Sequence, residues 1–138
     1  MKIKVIAITF LFIIMGGLIA FAKIKQEIIG ETKSYKEAKQ MWGEQDFDSD
    51  LFKKGDTLLR AKMSVSLLKQ NRLKGQRLSD MRNILGEHTG YFQNDQIPVY
   101  IITEDWKNGK DTWQLVLLPD SSNNVGEAVI NKNCCQKK

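Results

Sequence analysis

The side chains of this chain that could do chemistry are few and scattered. There is one histidine, His88, with Glu87 beside it. Two cysteines, Cys134 and Cys135, are adjacent near the end. Asp46, Asp48 and Asp50 alternate in a short acidic run. Seven basic residues, Arg60, Lys62, Lys69, Arg72, Lys74, Arg77 and Arg82, face a single acid, Asp80, over the same stretch. Each set has a chemistry to be weighed.

For catalysis, His88 would need a nucleophile and an orienting acid, and no serine, cysteine or second acid is placed by sequence to complete a triad. A small hydrolase using His88 with Glu87 or Asp95 is therefore the weakest class, and the chain is expected not to be an enzyme. There is no glycine-rich phosphate loop and no HExxH, and no cofactor is expected. For calcium, an EF-hand loop counted from Asp46 needs glycine at its sixth position and glutamate at its twelfth, where this chain has Leu51 and Thr57. For zinc, no CxxC or histidine-rich spacing occurs, so no metal site is expected. Neighbouring Cα atoms lie about 3.8 Å apart, short of the roughly 4.4–6.8 Å of an ordinary disulfide. Cys134-Cys135 is thus read as two thiols on a tail, open to an intermolecular disulfide or transient metal capture.

The basic set fits anionic surfaces. Its seven residues are candidates for contact with anionic headgroups or an acidic partner. Two helices around a glycine with a basic surface also suit a helix-turn-helix reader, but the N-terminal segment argues against nucleic acid. Met1–Ala22 places Lys2 and Lys4 before an uncharged apolar run of 18 residues, Val5–Ala22. Ala20 and Ala22 put small residues where a signal peptidase reads them, while the length of the run also suffices for a membrane-spanning helix. Cleaved signal peptide and retained transmembrane anchor both remain open. Either way the positive N-terminus stays in the cytoplasm and the rest is exported, periplasmic or inner-membrane-anchored in the cell envelope. No cysteine ends the leader, so lipoprotein processing is not available to it. Lys2 and Lys4 lie in the leader and all 16 acidic residues lie beyond it, so the +5 of the whole chain falls to +3 without it.

The elements that must position these residues follow from periodicity. Lys23–Asp50 is a polar tether, partly helical over Ser34–Trp42, with Gly43 as a stop. Asp56 is a fit N-cap. Leu59, Met63 and Leu67 at four-residue spacing, broadened by Leu58, Val65 and Leu68, predict a helix over Thr57–Asn71 buried on more than one side. A turn at Leu73–Gly75 follows, then a short helix with Met81, Ile84 and Leu85 on one face, stopped by Gly86 in the left-handed helical conformation that glycine takes cheaply. Beyond Gly90 the period becomes strand-like: Ile97–Glu104 with Pro98 at its start, a type I′ hairpin turn at Lys107–Lys110, Thr112–Leu118, and Val125–Asn131. The expected fold is α+β, two helices packed on one face of a three-stranded antiparallel sheet in the order α-α-β-β-β, preceded by an N-terminal hydrophobic helix.

The segment Leu73–Gly86, LKGQRLSDMRNILG, with Met63 and Leu67-Leu68 upstream, resembles the SmpA/OmlA (BamE-like) small proteins of bacterial envelopes. Gly75, Met81, Ile84, Leu85 and Gly86 carry the resemblance, which spans about Arg60–Asn131. It implies a BamE-like α+β domain over residues 51–132, followed by a C-terminal tail over 133–138. It also implies a non-catalytic protein-interaction module exposed outside the inner membrane, with another envelope protein as partner. The alternative is a secreted binding or inhibitor protein with a β-lactamase-inhibitor-like α+β fold, which requires cleavage after Ala22.

Overall fold

The computed structural model describes residues 29–103 and 112–133. The leader and its expected helix, the Lys107–Lys110 turn and Cys134-Cys135 lie outside the described residues. The chain divides into two units, Met1–Glu31 and Thr32–Lys138, and the elements below belong to the second. Among the described residues, no helix is long and apolar enough to cross a membrane.

Four helices are found among the described residues: α1 (Tyr35–Trp42), α2 (Ser49–Lys54), α3 (Thr57–Gln70) and α4 (Met81–Leu85), the last preceded by a 3₁₀ turn at Leu78–Asp80. The strands are β1 (Thr32–Lys33), β2 (Val99–Thr103), β3 (Thr112–Pro119) and β4 (Val125–Asn133), antiparallel in the order β1-β4-β3-β2. The fold is thus α+β with an antiparallel sheet. It exceeds the expected two helices and three strands: the helix expected within the tether over Ser34–Trp42 is present as α1, and strand β1 and helix α2 are added to it.

Local chemistry explains where each helix starts and stops. Ser34 and Glu37 form a reciprocal capping box on α1, the Ser34 N–H donating to Glu37 Oε2 at 2.9 Å. Asp48 caps α2 and Asp56 caps α3, each accepting a backbone N–H at 2.8 Å. Asn71 closes α3 in the left-handed region at φ 48°, a conformation asparagine tolerates better than most residues.

One face of the sheet, bearing Tyr100, Ile102, Trp113, Leu115, Leu117 and Ile130, shares a single core with Ala38, Phe52, Met63, Leu67, Met81 and Leu85 from the helices. Ala61, Met63, Ser64, Val65, Ser66 and Leu67 of α3 are all buried, as expected of a helix covered on more than one side. Val125, Ala128 and Ile130 all reach this core although their spacing is not a clean alternation. A register shift opposite Leu118 and Pro119 skips Gly126 and restores the face.

The other face carries Val99, Val116 and Val129 in one cross-strand row, with Gln114 opposite Asn131. The chain after α4 folds back along it. The Thr89 and Gly90 N–H groups both donate to the Val99 carbonyl, at 3.0 and 3.2 Å, and the Ile101 N–H donates to Thr89 Oγ1 at 2.8 Å. Gly90 has to be glycine for this approach, since a Cβ there would stand 2.7 Å from Val99 Cγ1 and 2.8 Å from Gln114 Oε1. The outer edge of β4 is covered as well. Val125 exchanges hydrogen bonds with Gly75 and Gln76 at 2.7 and 2.8 Å, and β1 pairs with Ile130 and Asn131 further along.

Candidate functional site

The basic residues between Arg60 and Arg82 are distributed over three elements, and most of them contact the protein itself. Arg60 turns inward from α3. Its Nε donates to the Phe52 carbonyl at 2.9 Å and its Nη2 to the Lys53 carbonyl at 3.1 Å. These are the last carbonyls of α2, which a helix leaves without internal partners, and a guanidinium can serve two at once. Lys62 is half-buried, and its backbone carbonyl accepts the Gln45 N–H at 3.2 Å. Lys69 lies 3.7 Å from Glu44, and Arg72 donates to the Phe47 carbonyl at 3.4 Å. Arg77 pairs with Asp80 and Arg82 with Glu87, each at 3.0 Å. Lys74 is exposed on the turn after α3. The structure therefore brings Lys69, Arg72, Lys74 and Arg77 to the end of α3 and the turn that follows, and separates them from Arg60 and Arg82.

The glycine motif is structural. Gly75 (φ 80°) donates its N–H to the Val125 carbonyl, tying the turn to the sheet. Met81 and Leu85 are buried and Ile84 packs against the same core. Gly86 has φ 90° and ψ −169°, a region reached by glycine almost alone, and not the left-handed helical region expected for it. Its carbonyl accepts the Tyr100 hydroxyl at 3.2 Å. Burial, reinforced by the Glu87 charge and opposed by Arg82, pushes the Tyr100 phenol well above its ordinary pKa. His88 stacks edge-on against the Tyr100 ring, with centroids 5.8 Å apart. This histidine is a packing partner of an aromatic core residue.

Two polar clusters lie outside the expected residues. In the first, Glu44 Oε2 accepts the Tyr35 hydroxyl at 2.8 Å and the Lys39 ammonium at 2.6 Å. Hydrogen bonds from Lys39 and Tyr35, ahead of the Lys39 and Lys69 charges, hold the Glu44 carboxyl below its ordinary range. Reciprocally, bonding to Glu44 and then to Tyr35 pushes the Lys39 pKa up to about 12. In the second, Gln114 Nε2 donates to Asn131 Oδ1 at 3.2 Å and to the Tyr91 carbonyl at 3.1 Å, while its buried Oε1 has no protein partner. The sequence carried one signal for the first cluster, the Ser34…Glu37 helix start. It carried none for the second, whose members come from different strands.

Of the three aspartates, Asp48 caps α2 and Asp50 lies exposed 3.9 Å from Lys53. Among the described residues, no group of three or more His, Cys, Asp or Glu side chains is arranged to hold a metal ion. Met41, Leu51, Leu58 and Tyr91 are the large apolar side chains left exposed there, three of them on α1, α2 and α3. No family model matches the chain, and no curated protein or solved structure matches it either.

Proposed function

We propose that this chain is a non-catalytic cell-envelope protein whose α+β domain acts as a BamE-like interaction module on the outer side of the inner membrane. The observation that carries it is the order of the chain. An uncharged apolar run, Val5–Ala22, follows two lysines and leads into a domain in which Arg60, Lys39 and Arg82 are each bonded to its own groups. The partner is another envelope protein, met through the helical layer around Leu58 and the turn at Lys74. A photo-crosslinking residue at Leu58 or at Lys74, in membranes, should capture the same envelope protein. Capture of none from either position, or an inactive alkaline phosphatase fused to Lys138, would count decisively against it.

The small residues Ala20 and Ala22 favour a second reading, a secreted binder or inhibitor released by cleavage. The intact mass of the mature chain separates the two: a chain beginning at Met1 in the membrane fraction is the anchored module, and one beginning at Lys23 is the released form.

A further inference from the structure

The first two elements of the domain are fastened differently from the rest. Helix α1 buries one residue, Ala38, where α3 buries six. Strand β1 makes two pairs with β4, and Trp42 meets Trp113 edge-on at 6.2 Å. Tyr35 and Trp42 also pack against the core and Lys33 lies over the Trp113 ring at 4.8 Å, while a polar cluster centres on one carboxylate. Glu44 stands just past the glycine that ends α1; it accepts from Tyr35 and Lys39 of α1 and lies 3.7 Å from Lys69 of α3. Lys39 also donates to the Tyr35 hydroxyl at 3.1 Å, and the Lys39 and Lys69 ammonium groups lie over the Tyr35 ring at 5.5 and 5.8 Å. Tyr35, Lys39 and Lys69 are therefore the titratable groups that face Glu44 from the two helices it joins.

We propose that Thr32–Gly43 is a releasable strap, latched to α3 through Glu44, whose opening lengthens the link on the N-terminal side of the domain. A detached eight-residue helix is far below the length that persists alone in water. Unlatching therefore melts α1 as well as freeing it. The eight residues of α1 span about 12 Å as a helix and roughly 27 Å when extended, a gain of about 15 Å. The pairing of β3 with β4 and the packing of α3 on the sheet do not pass through the strap, so the remainder of the domain stays folded. The consequence rests on the anchored reading: in an anchored chain the domain gains that reach from the membrane. The latch itself does not depend on it.

Hydrogen exchange on the full chain, in detergent micelles, tests the latch. The Ala38 and Gly43 N–H groups, bonded to the Ser34 and Lys39 carbonyls, should exchange through an opening that leaves the β3 and β4 amides protected. Glu44→Gln should speed the strap amides roughly three- to tenfold, the scale of one charge-assisted contact shared among several donors, with β3 and β4 unchanged. Glu87→Gln, which breaks the Arg82 pair instead, should leave the strap at the wild-type rate. One common rate for strap and sheet, or a Glu44→Gln strap no faster than wild type, overturns the proposal. The intact mass read in the same samples keeps the two ideas apart: a chain beginning at Lys23 sinks the anchored reading, while the exchange rates alone decide the strap.

Discussion

Gly86 shows how far a single residue can be read before its neighbours are known. The apolar face Met81, Ile84, Leu85 followed by glycine marks a helix stop, and a stop is what stands there. Gly43, which stops α1, has nearly the same backbone, at φ 80° and ψ −169°; at Gly86 the carbonyl is in addition held by the hydroxyl of Tyr100, fourteen residues on. Gly86→Val should cost at least about 1 kcal/mol, since a β-branched side chain at this φ is strained, and Lys53 Cγ would lie 3.3 Å from the added Cβ. Denaturant unfolding measures it, and a neutral result would mean that α4 ends elsewhere. Tyr100 makes a second prediction. Its phenol is harder to ionise when folded than when unfolded, so its contribution is complete below about pH 10, the ordinary tyrosine value, and is lost as pH rises above that. At pH 8 Tyr100→Phe should be less stable than wild type by about 1 kcal/mol, the net worth of a hydrogen bond. The gap should narrow as unfolding is repeated towards pH 11; a constant gap would contradict the assigned cause.

Among the elements, the helices were legible wherever a cap met a periodic run. Asp56 followed by Leu59, Met63 and Leu67 is enough to place α3, and the structure ends it one residue before the expected Asn71, which becomes the cap. Strand β1 was not legible, because two residues of pairing have no period; Thr32 and Lys33 are a strand only because Asn131 and Ile130 are opposite them. Helix α2 is six residues long and stops at Gly55; its last turn also relies on Arg60 to serve the Phe52 and Lys53 carbonyls, which no propensity would suggest. Arg60→Ala should destabilise the domain by about 1.5–3 kcal/mol, the range for hydrogen bonds to a charged group. Arg60→Lys should recover only part, since one ammonium lacks the planar fork that spans both carbonyls. Equal stability of the lysine variant and wild type, by thermal unfolding, would remove the two-carbonyl role.

On the scale of the whole molecule, the sequence by itself determined the class of fold, the charged-then-apolar leader, the helix caps and the antiparallel strands after Gly90. These follow from local chemistry: side chains that bond their own backbone and periods that match one face of a helix or strand. The tertiary structure alone decided the fate of the charged residues. By type and spacing, the seven cations from Arg60 to Arg82 read as one anionic-surface contact. Folding divides them, sending Arg60 to the end of α2, Lys69 to Glu44, Arg77 to Asp80 and Arg82 to Glu87. A half-buried charge is stable only with a partner, and Arg60 finds its own on another element. Sequence periodicity records which face a residue occupies; it holds no record of which other element will lie against that face.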